Sequence, residues 1–308
     1  MLMRSAPLPF RDVSGLPRIF LDILGPVLIL IAIGFGVGRW LKLEPAPFAK
    51  LAFWVIGPAF IFDSLANAGL AADALIRVAA ASTIAFAASA VFAAIISTRL
   101  PTERRAAIIT TGAYGNTGNF GLAIVVFTFD ETSLPFAAIG LVVVNTLGLI
   151  IGVASAHGGW RGVWLAVTRP MTLVIVPALL VNATGSDLPL VIDRPIGMLA
   201  GAIIPVMLIT LGIQLQQMGV PKIDADVFRS LSTKLLVQPL VAIPVVALLD
   251  LSDVASGAVI LQAAMPAAVF TTVLAIEHNT RPNETATIVL AGTIASMATL
   301  PWFILYVS

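Results

Sequence analysis

Ten stretches of mostly apolar residues recur along this chain, separated by short polar loops. Most are about 20 residues long, which is the length of helix that crosses the hydrocarbon core of a bilayer. A transmembrane β-barrel would instead show segments of about ten residues with alternating polarity, and the chain shows none. The sequence therefore predicts an all-α polytopic membrane protein with ten transmembrane helices.

The polar residues between these stretches define the bounds of each segment to within a few residues. The ten segments are Ile19–Gly38, Phe48–Leu65, Ile76–Ser97, Ala106–Phe129, Leu134–Ala154, Met171–Thr184, Ile196–Leu215, Leu231–Leu249, Val254–Ile276 and Thr285–Val307. The sixth is short, and Trp160 and Trp164 before it are typical of residues that anchor a helix at the membrane interface.

The composition excludes several classes of protein. Of the 308 residues, 59% are hydrophobic and 11% are charged, whereas a soluble domain carries about 25% charged residues. A soluble enzyme, a nucleic-acid-binding protein and a disordered chain are therefore excluded, and the net charge of +1 indicates no charged partner. Because the chain has no cysteine and only two histidines, His157 and His278, we expect no disulfide, metal centre or cofactor.

Basic residues in the loops predict the orientation, because cytoplasmic loops carry an excess of lysine and arginine. The loops after odd-numbered segments carry twelve such residues, and those after even-numbered segments carry only Arg77 and Arg194. The twelve are Arg39, Lys42, Lys50, Arg99, Arg104, Arg105, Arg161, Arg169, Lys222, Arg229, Lys234 and Arg281. We therefore expect both termini to lie outside the cytoplasm, although Arg4, Arg11 and Arg18 in the amino-terminal tail oppose this orientation. The expected location is the inner membrane of a bacterium.

The two halves of the chain resemble each other at a separation of about 150 residues. The matched pairs are Pro26 with Pro177, Gly34 with Gly185, Pro58 with Pro205, and Asn116 with Pro266. Five segments per half is an odd number, so the second half enters the membrane from the opposite side. Inverted repeats of this kind are common in secondary transporters, although simple duplication also produces repeats. The predicted parts are a tail (1–18), a first repeat (19–154), a cytoplasmic connection (155–170) and a second repeat (171–308).

Segment 4 contains Gly115-Asn116-Thr117-Gly118-Asn119, a run of poor helix formers. Backbone groups freed in hydrocarbon must be satisfied within the protein or by a wet cavity. A glycine-rich contact between continuous helices is the alternative. The two asparagines add polar groups as well as small ones, and so favour an interrupted helix.

Segment 9 contains Gln262, Met265 and Pro266. Proline lacks an N–H donor and clashes with the preceding turn, so it kinks or breaks a helix. Interrupted segments at matching positions in two halves indicate a transport site. Two half-helix amino termini pointing at the membrane centre would suit a carboxylate, and we place no lysine or arginine in the middle of any segment.

A few other polar residues lie within or beside the segments. Asp63 in segment 2 is a candidate for ion or proton coupling, or else a hydrated residue near the interface. Asn145 in segment 5 is either a contact between helices or a substrate ligand. Glu277 is a candidate for proton coupling, or else forms an interfacial pair with His278. Met207 and Phe270 are assigned to packing.

Motifs at three places are similar to those of a known family. They are GNTGNFGLA at 115–123, QAAMP at 262–266 with LAIEHNTRP at 274–282, and SMATLP at 296–301. On these motifs the chain resembles the auxin efflux carrier family, whose plant members are the PIN-type auxin carriers and whose bacterial members include carriers of small dicarboxylates. The family shares its architecture with the bile acid:sodium symporters.

The resemblance implies a five-plus-five inverted repeat in which broken helices 4 and 9 cross. Segments 1, 2, 6 and 7 would form a scaffold. Segments 3–5 and 8–10 would form a transport domain that moves by an elevator mechanism. The polar groups at the family's crossover would correspond to Asn116, Thr117, Gln262, Met265 and Pro266. With Gly118 and Asn119 of the interrupted run and Asn145 of segment 5, they are the expected substrate-binding residues. The chain departs from the family at Ala123, where many members have proline, and it lacks the long cytoplasmic loop of the plant carriers.

The function expected from these observations is secondary transport of a small organic anion, either an indole acid or a mono- or dicarboxylate. A passive channel is the alternative, and an intramembrane enzyme is disfavoured because the chain has no GxGD or HExxH motif. The expected partners are the carboxylate substrate and the lipid bilayer, with no nucleic acid. The coupling ion, whether a proton or sodium, and the formation of a homodimer stay open.

Overall fold

The computed structural model describes residues 15–157, 161–218 and 223–308, apart from the side chains of 155–157, 161, 162 and 165. Within these ranges the regular secondary structure consists of helices, as the apolar segments predict. The predicted tail to residue 14, Trp160 and Lys222 lie outside the described residues.

The helices follow one another with short connections. In chain order they are α1 (Leu16–Leu41), α2 (Pro45–Ala66), α3 (Ala72–Ile96), α4 (Thr102–Ala113), α5 (Thr117–Phe129), α6 (Leu134–His157), α7 (Arg161–Val167), α8 (Pro170–Thr184), α9 (Leu190–Gln216), α10 (Ala225–Leu248), α11 (Asp253–Ala263), α12 (Phe270–Glu277) and α13 (Pro282–Val307).

Seven of the described helices are long and apolar enough to cross a membrane: α1, α2, α3, α6, α9, α10 and α13. Three shorter helices, α5, α8 and α11, are also apolar. Large apolar side chains such as Leu21, Trp40, Ile95 and Leu248 are exposed on the outside of the bundle, where a lipid tail and not water would suit them. The chain is therefore an integral membrane protein, and the arrangement of its helices as ten spans stays a prediction.

Wide turns interrupt three of the long helices just before a proline. The π-helical stretches Ile19–Leu24, Ala52–Ile56 and Thr233–Val237 each end two residues before Pro26, Pro58 and Pro239, respectively. Proline cannot donate a backbone hydrogen bond, and its ring displaces the carbonyl of the preceding turn. The helix accommodates this by widening locally.

Two glycines allow α1 and α9 to pack closely. A Cβ atom on Gly34 would overlap the carbonyl oxygen of Ile209, and one on Gly212 would overlap that of Ile31. Small residues at such positions let helix backbones approach within a membrane. This contact fixes the two helices against each other.

The pairs that suggested an internal repeat differ in their surroundings. Gly34 lies in a helix contact, whereas its match Gly185 adopts a left-handed conformation (φ 60°) at the end of α8. Asn116 and Pro266 are in direct contact, because the backbone N–H of Asn116 donates to the carbonyl of Pro266 at 2.7 Å. The inverted repeat itself stays a prediction.

Segments 7 and 8 begin earlier than predicted. Segment 7 begins at Leu190 and not at Ile196, so Arg194 belongs to α9 and not to the loop before it. Segment 8 begins at Ala225 and not at Leu231, so Arg229 and Lys234 belong to α10 and not to the loop before it. The count of loop charges used for the orientation is correspondingly smaller.

Candidate functional site

Segment 4 is interrupted at the glycine- and asparagine-rich run. Helix α4 ends at Ala113, Tyr114 is extended (φ −81°, ψ 97°), and α5 begins at Thr117. The first turn of α5 is π-helical, and the N–H of Gly121 donates to the carbonyl of Asn116 at 3.0 Å. The tendency of asparagine and glycine to leave the helix is therefore realised here.

Segment 9 is interrupted as well, and its interruption pairs with that of segment 4. Helix α11 ends at Ala263 and α12 begins at Phe270. Gly115 and Ala267 form an isolated antiparallel bridge. In addition to the bond from Asn116 to Pro266, the N–H of Ala268 donates to the carbonyl of Tyr114 at 2.9 Å. The backbone groups that each interruption frees are thus satisfied by the other.

Lys234 on α10 lies directly at this meeting point, which the sequence reasoning missed. Its side chain is 2% exposed, and its Nζ donates to the carbonyl of Ala263 at 2.7 Å and to Oε1 of Gln238. A Cβ on Gly115 would lie 2.7 Å from Cε of Lys234. The expectation that no lysine lies in the middle of a segment is therefore wrong.

Helix α10 supplies donors to the carboxyl ends of both interrupted helices. Lys234 reaches the last residue of α11, Ala263, and Nε2 of Gln238 lies 3.5 Å from the carbonyl of Ala113, the last residue of α4. The last carbonyls of a helix have no partner within it, and they carry partial negative charge that a cation stabilises. A lysine followed four residues later by glutamine in an apolar run is the signal that could have revealed this arrangement.

A cavity of about 250 Å³ opens beside the paired interruptions. Gly118 and Asn119 in the first turn of α5 line it, as do Val269 and Phe270 at the start of α12. Residues of α2, α6, α8 and α9 complete the wall. The cavity therefore meets the amino-terminal turns of both half-helices, which carry partial positive charge.

Aromatic rings form one side of the cavity. The ring centre of Phe270 lies 5.6 Å from that of Phe53 on α2 and 6.3 Å from that of Tyr114. The hydroxyl of Tyr114 donates to Oδ1 of Asn145 at 2.7 Å. Its ring packs on Gly148, where a Cβ would lie 2.6 Å from Cε1. Phe270 and Met207, which we assigned to packing, also line the cavity.

Polar atoms without a protein partner lie at the cavity wall. Nδ2 of Asn116 and Oε1 of Gln214 are buried and have no hydrogen-bond partner in the described part of the chain, and both residues line the cavity. A buried polar atom is normally hydrogen-bonded. A bound molecule could supply the missing partners.

The structure brings only some of the candidate residues to this cavity. Those that line it are Asn116, Gly118, Asn119 and Asn145. The others pack behind the paired interruptions: Thr117, Gln262, Met265 and Pro266 are all buried. Nε2 of Gln262 donates to the carbonyl of Ala137 on α6 at 2.9 Å, and Gln262 lines a second cavity of only about 10 Å³ with Ser82 and Gln238.

The two candidates for ion coupling lie elsewhere. Asp63, near the end of α2, accepts a hydrogen bond from Nδ2 of Asn67 at 3.0 Å. Glu277 is the last residue of α12. Neither residue is among those lining the 250 Å³ cavity.

Residues 162–304 match the family described as membrane transport protein. These residues are a little under half of the chain. An uncharacterized transporter of Methanothermobacter thermautotrophicus is 29% identical over 194 residues. The alignment covers 63% of this chain and 60% of the relative's length. The resemblance to the auxin efflux carrier family is thereby confirmed.

The match to the family described as membrane transport protein covers part of the site. Residues 162–304 contain Lys234, Gln262 and the interruption between α11 and α12. The interruption between α4 and α5 precedes the matched residues.

Proposed function

We propose that this chain belongs to the membrane transport protein family and is a secondary transporter, which moves a small organic anion across the membrane by elevator-type alternating access. The substrate would be an indole acid or a mono- or dicarboxylate. The anion would bind where segments 4 and 9 cross, with its charge near the amino ends of α5 and α12. The protein would lie in a bacterial inner membrane with both termini outside the cytoplasm.

One observation carries this proposal. The two interrupted helices satisfy each other's backbone through the bonds between Asn116 and Pro266 and between Ala268 and Tyr114, and a cavity lies beside them. Non-helical backbone is tolerated at membrane depth only inside protein or at a wet cavity. Transporters place substrate sites at such interrupted helices.

Lys234 and Gln238 would hold the two interrupted segments together during the transport movement. Their hydrogen bonds connect α10 to the ends of α4 and α11. These helices would therefore move together, as parts of a transport domain made of segments 3–5 and 8–10. The scaffold would consist of segments 1, 2, 6 and 7. Segments 1 and 2 belong to the first repeat (19–154), segments 6 and 7 belong to the second repeat (171–308), and residues 155–170 connect the two repeats. The contact of Phe53 with Phe270 would then lie between scaffold and transport domain.

The candidate residues would divide into two roles. Asn116, Gly118, Asn119 and Asn145 line the cavity and would contact the substrate. Thr117, Gln262, Met265 and Pro266 lie behind it and would hold the interrupted helices in position. Asp63 and Glu277 stay candidates for coupling to a proton or to sodium, away from the substrate.

Counterflow of labelled anions in proteoliposomes tests the proposal. Purified protein is first screened for thermal stabilisation by small mono- and dicarboxylates and indole acids, with and without sodium, because a ligand that binds only the folded state raises its stability. The stabilising compound is then used for transport. We expect saturable counterflow that is lost in Asn116→Ala and kept in Asn283→Ala, an exposed asparagine of α13.

Two results would contradict the proposal. Normal counterflow in Asn116→Ala, with its folding shown to be intact, would remove the cavity from the transport route. Unitary currents without counterflow would indicate a passive channel instead of a carrier.

A further inference from the structure

The charged residues at the cavity are of one sign. Lys50 on α2 and Arg169 just before α8 line it, and no aspartate or glutamate lines it within the described ranges. Neither cation forms an ion pair with a carboxylate of those ranges. The cavity therefore has an unbalanced positive charge at its wall.

Arg169 is held in place more firmly than Lys50. Its guanidinium carbon lies 5.8 Å from the ring centre of Trp54, which also lines the cavity. A cation at this distance is attracted by the face of an indole ring, and the planar guanidinium is suited to stacking and to paired hydrogen bonds with a carboxylate. Arg169 is half-buried, whereas Lys50 is exposed.

We propose that Arg169, stacked on Trp54, is the specificity-determining residue that makes this cavity accept anions and reject cations. The inference rests on the proposed function, because it assigns the charge selectivity of the same cavity. It adds a residue that no motif in the sequence marked, and it makes Lys50 a minor contributor. Positive charge that lines a cleft with low-dielectric walls raises the local concentration of anions by about 10- to 1,000-fold.

The absence of cysteine allows a direct test that needs no known substrate. Thr146 on α6 lines the cavity, and Thr184 at the end of α8 is exposed and is not among the lining residues. Thr146→Cys and Thr184→Cys are each made in the full-length protein. The introduced thiols are treated with methanethiosulfonate reagents that carry a sulfonate, a trimethylammonium group or no charge, and the reaction rates are measured.

We expect the ratio of anionic to cationic rates to be at least about tenfold higher at position 146 than at position 184. Adding Arg169→Gln should lower the ratio at 146 at least about fivefold, Arg169→Lys should lower it less, and Lys50→Gln should change it least. High ionic strength should reduce the ratio, because salt screens charges that are in contact with water.

Three results would overturn the inference. They are an unchanged ratio in Arg169→Gln, a loss in Lys50→Gln as large as that in Arg169→Gln, and failure of the uncharged reagent to reach the thiol at position 146. If the ratio of anionic to cationic reaction rates at position 146 behaves as expected but no anion is transported, only the proposed function is contradicted. Normal anion counterflow with an unchanged ratio in Arg169→Gln would count against the role of Arg169 alone.

Discussion

Gly140→Ala should destabilise the protein by displacing Gln262. Gly140 lies on α6, and a Cβ there would overlap Oε1 of Gln262 and lie 3.0 Å from its Cδ. The amide would have to move, which would break the bond from its Nε2 to the carbonyl of Ala137. The substitution therefore adds an atom to a filled space and removes a buried hydrogen bond at the same time.

The expected magnitude follows from three terms. Overpacking a core costs about 1–3 kcal/mol, and the lower end of this range applies because the overlapped atoms are the end of a flexible glutamine side chain. A lost hydrogen bond costs about 1 kcal/mol more. Alanine is a better helix former than glycine by about 1 kcal/mol, which offsets part of the loss. The net destabilisation should be about 1 kcal/mol, a fall of a few degrees in the unfolding temperature.

Thermal unfolding in detergent, followed by tryptophan fluorescence, measures this effect. Gly197→Ala on α9 is the matched control, because a Cβ at that position would meet nothing within 4 Å. It should leave the unfolding temperature unchanged or raise it. In a Gln262→Ala background the cost of Gly140→Ala should shrink, since the space is then free. An unfolding temperature of Gly140→Ala at or above that of the unsubstituted protein would refute the position assigned to Gln262.

Two further predictions concern stability. Asn182→Ala should lower the unfolding temperature by a few degrees, because Asn182 bonds the backbone of both Gly69 and Leu70 at 3.0 Å, and the loss of two hydrogen bonds costs about 2 kcal/mol. Asp226→Asn should cost about 1–3 kcal/mol, because the buried Asp226 pairs with Arg104 at 2.6 Å and with a second arginine at 2.7 Å. In the same assay Asp73→Asn should change little, since Asp73 forms an exposed pair. Equal effects of the two aspartate substitutions would contradict the second prediction.

Local sequence was sufficient to locate the interruptions. Glycine and asparagine between Gly115 and Asn119, and Pro266 in segment 9, disfavour a helix wherever they lie, so their effect can be read without knowing the fold. The pairing of the two interruptions depends on residues about 150 positions apart. The sequence suggested this pairing only through the weak match between the halves.

Lys234 shows where reasoning from composition fails. It lies near the start of an apolar segment and was counted as a loop residue, because a lysine near a segment end usually lies at the membrane surface. Its actual position follows from the carboxyl end of α11, which places the carbonyl of Ala263 within 2.7 Å of Nζ. A charge buried in this way is stable only when such partners are present.

By itself the sequence determined that the chain is a helical membrane protein, because lipid leaves long apolar segments no other way to satisfy their backbone. It also determined where two helices lose their regularity. Only the tertiary structure decided that these two places meet, that Lys234 and Gln238 cap them, and that a cavity with Arg169 and Trp54 lies beside them. These contacts join residues far apart in the chain, and their geometry depends on how all the helices pack together.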